Sequence, residues 1–343
     1  MDRFAPDHVV SIYCGGYMPT FIQLPGLDDS DLVIKGFQDR AGVGQRVSSA
    51  GDYNGDGIED FVITASLGSE SYYGDGAAYL IFGKAGGIGE IDLTALTAAQ
   101  GMVIRGPAGS SSGLAMDAVS AGDVNGDGYD DLLIGAPAST IDGSFTGRAY
   151  IVYGKTNGFG AIDLATMTSD EGATIMRPSA AGGNTSLGID LAGVGDVNGD
   201  GYDDVLVGAG DNPNGHAYLL FGSAQGIGNI DLSQLTADRG VVFNSAAAGD
   251  GAGQTISRLG DINGDGIDDF AISAKHANDS AGAVYVCFGK TGAWSSTTLG
   301  SMTSNEGFVI AGTGAGFFNG SAAGMHMADA GGGAGGGGAA LPG

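Results

Sequence analysis

Four times along the chain the string Asp-x-Asn-Gly-Asp-Gly-x-[Asp/Glu]-Asp recurs, starting at Asp52, Asp123, Asp196 and Asp261. Each copy sets three carboxylates and one amide oxygen at positions 1, 3, 5 and 9 of a nine-residue stretch. These are Asp52, Asn54, Asp56 and Asp60 in the first; Asp123, Asn125, Asp127 and Asp131 in the second; Asp196, Asn198, Asp200 and Asp204 in the third; and Asp261, Asn263, Asp265 and Asp269 in the fourth. Clustered hard oxygens suit Ca2+, which takes six to eight of them at ~2.3–2.6 Å in a flexible shell; Mg2+ demands a rigid octahedron and keeps its waters. Gly at positions 4 and 6 lets the chain turn tightly with positive φ. An EF-hand starts alike but needs a bidentate Glu at position 12. Position 12 here is Ile63, Ile134, Val207 or Ile272, inside apolar runs. One such string is an ordinary turn former, but four in step imply more. Their twelve carboxylates repel one another, and four divalent ions would offset two thirds of that charge. The expectation is about four Ca2+, one per repeat, with binding coupled to folding.

The elements that must position these loops repeat with them, at spacings of 71, 73 and 65 residues. A run of small residues precedes each loop, such as Val47-Ser48-Ser49-Ala50. An apolar run follows it: Phe61-Val62-Ile63, Leu132-Leu133-Ile134, Val205-Leu206-Val207 or Phe270-Ala271-Ile272. A third run ends in an aromatic and Gly, as in Ala78 to Gly83, and a fourth closes the unit, as in Met102-Val103-Ile104. Between the third and fourth lies an Ile-Asp-Leu segment at Ile91, Ile162 and Ile230. Four short strands per unit, bounded by Gly, Asp and Asn, with no sustained helical period, predict an all-β fold. Tandem four-stranded units compose a β-propeller, whose innermost strands crowd a central channel and favour small side chains.

Of 343 residues, 68 are Gly, and the formal net charge is −26. Ample apolar content argues against disorder, and aperiodic Gly against collagen. The longest apolar runs fall far short of the ~20 residues of a spanning helix. So acidic a chain repels phosphate backbones and anionic lipid, which excludes nucleic acid and direct membrane insertion as expectations. His8, His216, His276 and His326 are scattered without zinc spacing, and neither a Gly-x-Ser-x-Gly elbow nor a Walker loop occurs. His216 and His276 read as solvated residues at strand junctions. Tyr79, Tyr150, Tyr218 and Tyr285 hold one phase of the repeat and, with Trp294, read as core. Cys14 and Cys287 do not make a disulfide framework; they read as two buried thiols, with a single pairing between them as the alternative.

The pattern resembles the FG-GAP repeats of integrin α-subunit propellers and their bacterial relatives. Repeat two carries it best, in Ala121-Gly122-Asp123-Val124-Asn125-Gly126-Asp127-Gly128-Tyr129-Asp130-Asp131 followed by Leu132-Leu133-Ile134-Gly135-Ala136-Pro137. The likeness covers roughly residues 9 to 316. It implies a β-propeller with the Ca2+ loop between the first and second strands of each blade. It adds the position-7 carbonyls of Ile58, Tyr129, Tyr202 and Ile267 as metal ligands. It leaves position 8 (Glu59, Asp130, Asp203 and Asp268) outside the ligand set, and these are read as solvated.

Residues 1–36 are expected to form a half blade, with Ile12-Tyr13-Cys14 as third strand, Ile22-Gln23-Leu24 as the Ile-Asp-Leu segment and Leu32-Val33-Ile34 as fourth strand. Residues 37–316 make four full blades. Residues 317–343 begin a further, degenerate repeat that runs into a disordered Gly-rich tail. The two halves either close a five-bladed ring by strand exchange or leave an open array belonging to a larger propeller, with a frame-shifted terminus; the open array is favoured. No catalytic residues are assigned and no enzyme is expected. The leading function is a calcium-binding adhesion or protein-interaction module, extracellular or at the cell surface although no signal peptide is visible, with a protein or glycan ligand. The alternative is a non-catalytic propeller accessory to a secreted hydrolase or glycan-binding protein.

Overall fold

The computed structural model describes residues 11–13, 33–35, 43–65, 76–107, 117–141, 144–145, 147–156, 158, 160–177, 186–210 and 215–313. The chain is all-β there, its helical content confined to the short turns Leu232–Gln234, Ala277–Ser280 and Leu299–Ser301. Four sheets repeat the same antiparallel meander. The first comprises Val43–Gly51, Asp60–Ala65, Ala77–Ile81 and Gly101–Arg105; the second Ala118–Gly122, Asp131–Ala136, Arg148–Val152 and Gly172–Met176. The third comprises Leu187–Gly195, Asp204–Ala209, His216–Leu220 and Gly240–Asn244; the fourth Ala252–Gly260, Asp269–Ala274, Ala283–Cys287 and Gly307–Ala311. These are the four blades, and each oxygen-rich loop joins the inner strand to the second, as expected. Among the described residues no sheet pairs the fourth blade back to the first.

The cores lie between blades. In the first blade Ala78 and Leu80 face forward, joining Val62, Met102 and Ile104 against Leu132, Ile134, Tyr150 and Val152 of the second. Tyr79 and Ile81 face back with Ile63 onto Ile34 and Ile91. Side chains alternate across a strand, and here both faces are covered, so the strands read as continuous apolar runs. The same interleaving joins blades two and three and blades three and four. Tyr79, Tyr150, Tyr218, Tyr285 and Trp294 are buried in these layers, as anticipated.

The Ile-Asp-Leu segments take a role that reading one unit at a time does not predict. Each leaves its own blade and adds a short parallel strand to the outer edge of the preceding one. Ala161–Asp163 pairs with Gly101–Arg105 and Ile230–Asp231 with Gly172–Met176, and Thr297–Thr298, which stands at the same place in the fourth repeat with Thr-Thr-Leu for Ile-Asp-Leu, pairs with Gly240–Asn244. Ile91–Asp92 pairs likewise with Val33–Lys35. Ser11–Tyr13 runs parallel to Val33–Lys35, whereas third and outer strands of the full blades are antiparallel. Cys14, Ile22-Gln23-Leu24, His8, His326 and residues 314–343 lie outside the described residues.

Candidate functional site

Each loop begins where the inner strand breaks register with the second, at Ser49/Gly51, Ser120/Gly122, Gly193/Gly195 and Arg258/Gly260. Gly at positions 4 and 6 then takes positive φ in all four copies (Gly55 +72° and Gly57 +83°; Gly126 +72° and Gly128 +89°; Gly199 +74° and Gly201 +93°; Gly264 +80° and Gly266 +88°). A side chain there would be strained. The carboxylates turn inward onto this coil. The Asp56 N–H donates to Asp52 Oδ1 and Asn54 Oδ1, both at 2.9 Å, and the Gly57 N–H to Asp52 Oδ2 at 2.8 Å. Asp127, Asp200 and Asp265 repeat the paired contact with their own positions 1 and 3. The oxygens of positions 1 and 3 therefore converge on one N–H, and position 5 curls over the next turn, its Oδ1 accepting from the position-7 N–H.

Position 9 is different. Asp60, Asp131, Asp204 and Asp269 are buried and clamp the loop to the end of the third strand. Asp131 Oδ1 accepts from the Gly154 N–H at 2.7 Å and Oδ2 from Val124 at 3.1 Å. Asp60 joins Gly83 to Asn54, Asp204 joins Gly222 to Val197, and Asp269 joins Gly289 to Ile262. Burial pushes Asp60 up to about 7 and Asp131 and Asp204 up to about 8; the N–H donors pull the other way, and the carboxylates at positions 1 and 5 add to the rise. Burial also raises Asp269. A cation in the loop would favour the charged forms. The donor set is all oxygen, and an ionised carboxylate has about four lone-pair directions, so the oxygens bound to N–H groups retain acceptor capacity. Among the described residues, no three acidic, His or Cys side chains stand at the mutual spacing of a formed metal centre. The chemistry of the loops fits a hard cation, and their present geometry is that of backbone-closed turns.

At position 8 Glu59 is exposed, as expected, whereas Asp130, Asp203 and Asp268 are half-buried and correct the expectation of solvated carboxylates. The Asp52 N–H donates to Asp130 Oδ2 of the next blade at 2.7 Å, while the Asp130 N–H returns to the Asp52 carbonyl at 3.3 Å. Asp123 and Asp203 repeat this reciprocal clip at 2.9 and 3.2 Å. Burial raises both Asp130 and Asp203. Asp268 instead takes Arg258 Nη2 at 2.9 Å. A Cβ on Gly51 or Gly122 would collide with these carboxylates, and the Gly recurring before each loop was the signal for the close approach. A second strut runs from the Lys155, Ser223 and Lys290 N–H groups to the position-2 carbonyls of Tyr53, Val124 and Val197 in the preceding loop, at 2.9–3.0 Å. The loops thus form a row, the first three each bonded to the next blade.

A polar group at the inner strands also escaped the sequence reading. Arg46, Asp117, Asp190 and Thr255 each stand six residues before a loop. Arg46 Nε lies 3.8 Å from Asp117 Oδ1, and Arg46 Nη2 lies 3.9 Å from Asp190 Oδ1. Asp190 Oδ2 accepts from the Ile256 N–H at 2.7 Å. Burial raises both carboxyls, and the interaction between the two side chains lowers Asp117 while raising Asp190. His216 is half-buried rather than solvated: burial lowers its pKa and its Nδ1 has no partner. His276 is exposed, as expected. Cys287 is a free, buried thiol, raised by burial.

This geometry meets a family pattern. A family model described as FG-GAP repeat matches residues 43–81, 117–152, 188–220 and 252–287, one match per blade. The chain is an FG-GAP repeat protein. It is 33% identical over 171 residues to integrin alpha-PS3 of Drosophila melanogaster, covering 49% of this chain and 14% of that protein. Over 256 residues it is 28% identical to integrin alpha pat-2 of Caenorhabditis briggsae, covering 68% of this chain and 18% of that one. It is also 31% identical over 166 residues to phosphatidylinositol-glycan-specific phospholipase D of Mus musculus, covering 46% and 18%. The FG-GAP chain therefore spans less than a fifth of the length of these relatives. No helix among its described residues is long and apolar enough to cross a membrane.

Proposed function

We propose that this FG-GAP chain is a calcium-stabilised propeller array that presents a rigid surface to a protein ligand outside the cell. The observation that carries the reading is the row of four oxygen-rich loops, the first three each bonded to the blade that follows. In this reading Asp52, Asn54, Asp56, Asp60 and the Ile58 carbonyl hold one ion. Asp123, Asn125, Asp127, Asp131 and the Tyr129 carbonyl hold the second. Asp196, Asn198, Asp200, Asp204 and the Tyr202 carbonyl hold the third, and Asp261, Asn263, Asp265, Asp269 and the Ile267 carbonyl the fourth. The ion supplies positive charge among carboxylates that otherwise repel, and takes no part in bond making. The chain's own residues close the coil, clamp it to the third strand through position 9 and, in the first two loops, join it to the next blade through that blade's position-8 carboxylate.

The extracellular setting is supported by affinity: extracellular calcium modules work at ~10⁻⁴–10⁻³ M, as fits loops without a bidentate Glu. Adhesion is supported by the similarity to the two integrin alpha chains. The similarity to a phospholipase D supports a second reading, a non-catalytic propeller beside a hydrolase domain. Calorimetric titration with Ca2+ tests the metal reading. About four sites are expected in the chain and about three in Asp127→Ala. Absence of heat at millimolar Ca2+ would overturn it.

A further inference from the structure

Of the five large hydrophobics that stand exposed among the described residues, four belong to the fourth blade: Ile262, Phe308, Val309 and Ile310. Three of these occupy positions that face the following blade elsewhere. Ile262, at position 2 of its loop, is 47% exposed, whereas Tyr53, Val124 and Val197 at the same position are fully buried. Phe308 is 47% exposed where Met102, Ala173 and Val241 are buried, and Ile310 is 52% exposed where Ile104, Ile175 and Phe243 are buried.

The same strand differs at its edge. Gly101–Arg105, Gly172–Met176 and Gly240–Asn244 each carry a parallel strand from the next repeat, and Gly307–Ala311 carries none among the described residues. In blades one and two the donated Ile sits opposite a set residue of the host: Ile162 opposite Ile104, and Ile230 opposite Ile175. Ile162 and Leu164, then Ile230 and Leu232, are buried in the cores that contain those hosts. An apolar strand with a free edge is a template for strand addition.

We infer that the outer strand of blade four, Gly307–Ala311, is a docking site for an Ile-Asp-Leu-type strand of a further FG-GAP unit. The incoming strand adds in parallel, its Ile opposite Ile310 and its Leu just past Ala311, as Ile162 lies opposite Ile104 and the Leu164 N–H donates to the Arg105 carbonyl. The occupant is set by continuity: the equivalent edges of the three preceding blades all take a strand from this place in the following unit. The inference rests on blade packing and not on metal binding.

The test uses the full chain in millimolar Ca2+ and a fluorescent peptide of residues 226–236, Gly-Ile-Gly-Asn-Ile-Asp-Leu-Ser-Gln-Leu-Thr, followed by anisotropy. Saturable binding is expected, weakened at least tenfold in Ile310→Asp and for a peptide with Asp in place of its Ile230. Because Ile310 is exposed, the variant should keep the parent's melting temperature, which separates lost binding from lost folding. No saturable binding, or equal binding by Ile310→Asp, overturns the proposal. So does concentration-dependent self-association that Ile310→Asp abolishes, since the occupant would then be a second copy of the chain.

Discussion

Asp130 shows how one carboxylate can matter to a loop it does not belong to. Its Oδ2 takes the Asp52 N–H of the preceding blade, and an unsatisfied buried donor costs about 1–3 kcal/mol. Asp130→Ala is therefore expected to lower stability by about that amount in chemical denaturation while leaving the Ca2+ count unchanged by calorimetry. A lost site would instead make Asp130 a ligand. Asp190 offers a different test. Its folded pKa lies above the ordinary carboxyl value because it is buried, so between roughly pH 4 and neutrality the folded state holds more protons than the unfolded one. Stability from this group is present at acid pH and is lost as pH rises through that window. Asp190→Asn keeps a donor toward Asp117 and an acceptor for Ile256. It should flatten the fall in urea midpoint between pH 5 and 7.5, measured in saturating Ca2+; an unchanged slope would exclude the pair as its source.

The donated strand makes neighbouring blades depend on each other. Ile162 lies in the second repeat but is buried against the first blade. Ile162→Asp is expected to speed hydrogen exchange at Gly101–Arg105, some sixty residues upstream, more than at Gly172–Met176 of its own repeat. The reverse order would mean that the segment serves its own blade. Most elements were legible in the sequence. Strand positions followed from apolar runs such as Leu132-Leu133-Ile134, and the loops from their Asp and Gly spacing. The destination of Ile162-Asp163-Leu164 was not legible, because its partner belongs to another unit and its alternation of buried Ile162 and Leu164 with exposed Asp163 looks the same whichever sheet it joins. The clip at Asp130 was hidden for a related reason: an acidic residue in a polar loop looks solvated until Gly51 of the preceding blade is brought against it.

At the scale of the molecule, a formal charge of −26 works against compactness, and exposed charges are screened by salt more than the buried carboxylates at position 9 of the loops. Cation binding to the folded state alone raises stability by mass action, about 2.7 kcal/mol for one site at a hundredfold excess over its Kd. Chelation with EDTA is expected to lower the melting temperature in one cooperative step, since the loops are tied to the inter-blade cores, and added Ca2+ should restore it where Mg2+ restores less. Identical melting curves with and without Ca2+ would refute a structural role for the ion.

The reciprocal clips all point one way, the acidic side chain arriving from the later blade and the amide from the earlier. Support along the row is consequently one-sided. Were the third blade cut away, the second would forfeit the acid that holds the Asp123 N–H, whereas cutting away the first would leave that acid in place and release only the partners of Asp130 and Lys155. Nibbling by a protease from the two directions should therefore bring unequal harm, with each bite from the carboxyl side loosening a neighbour it never touched.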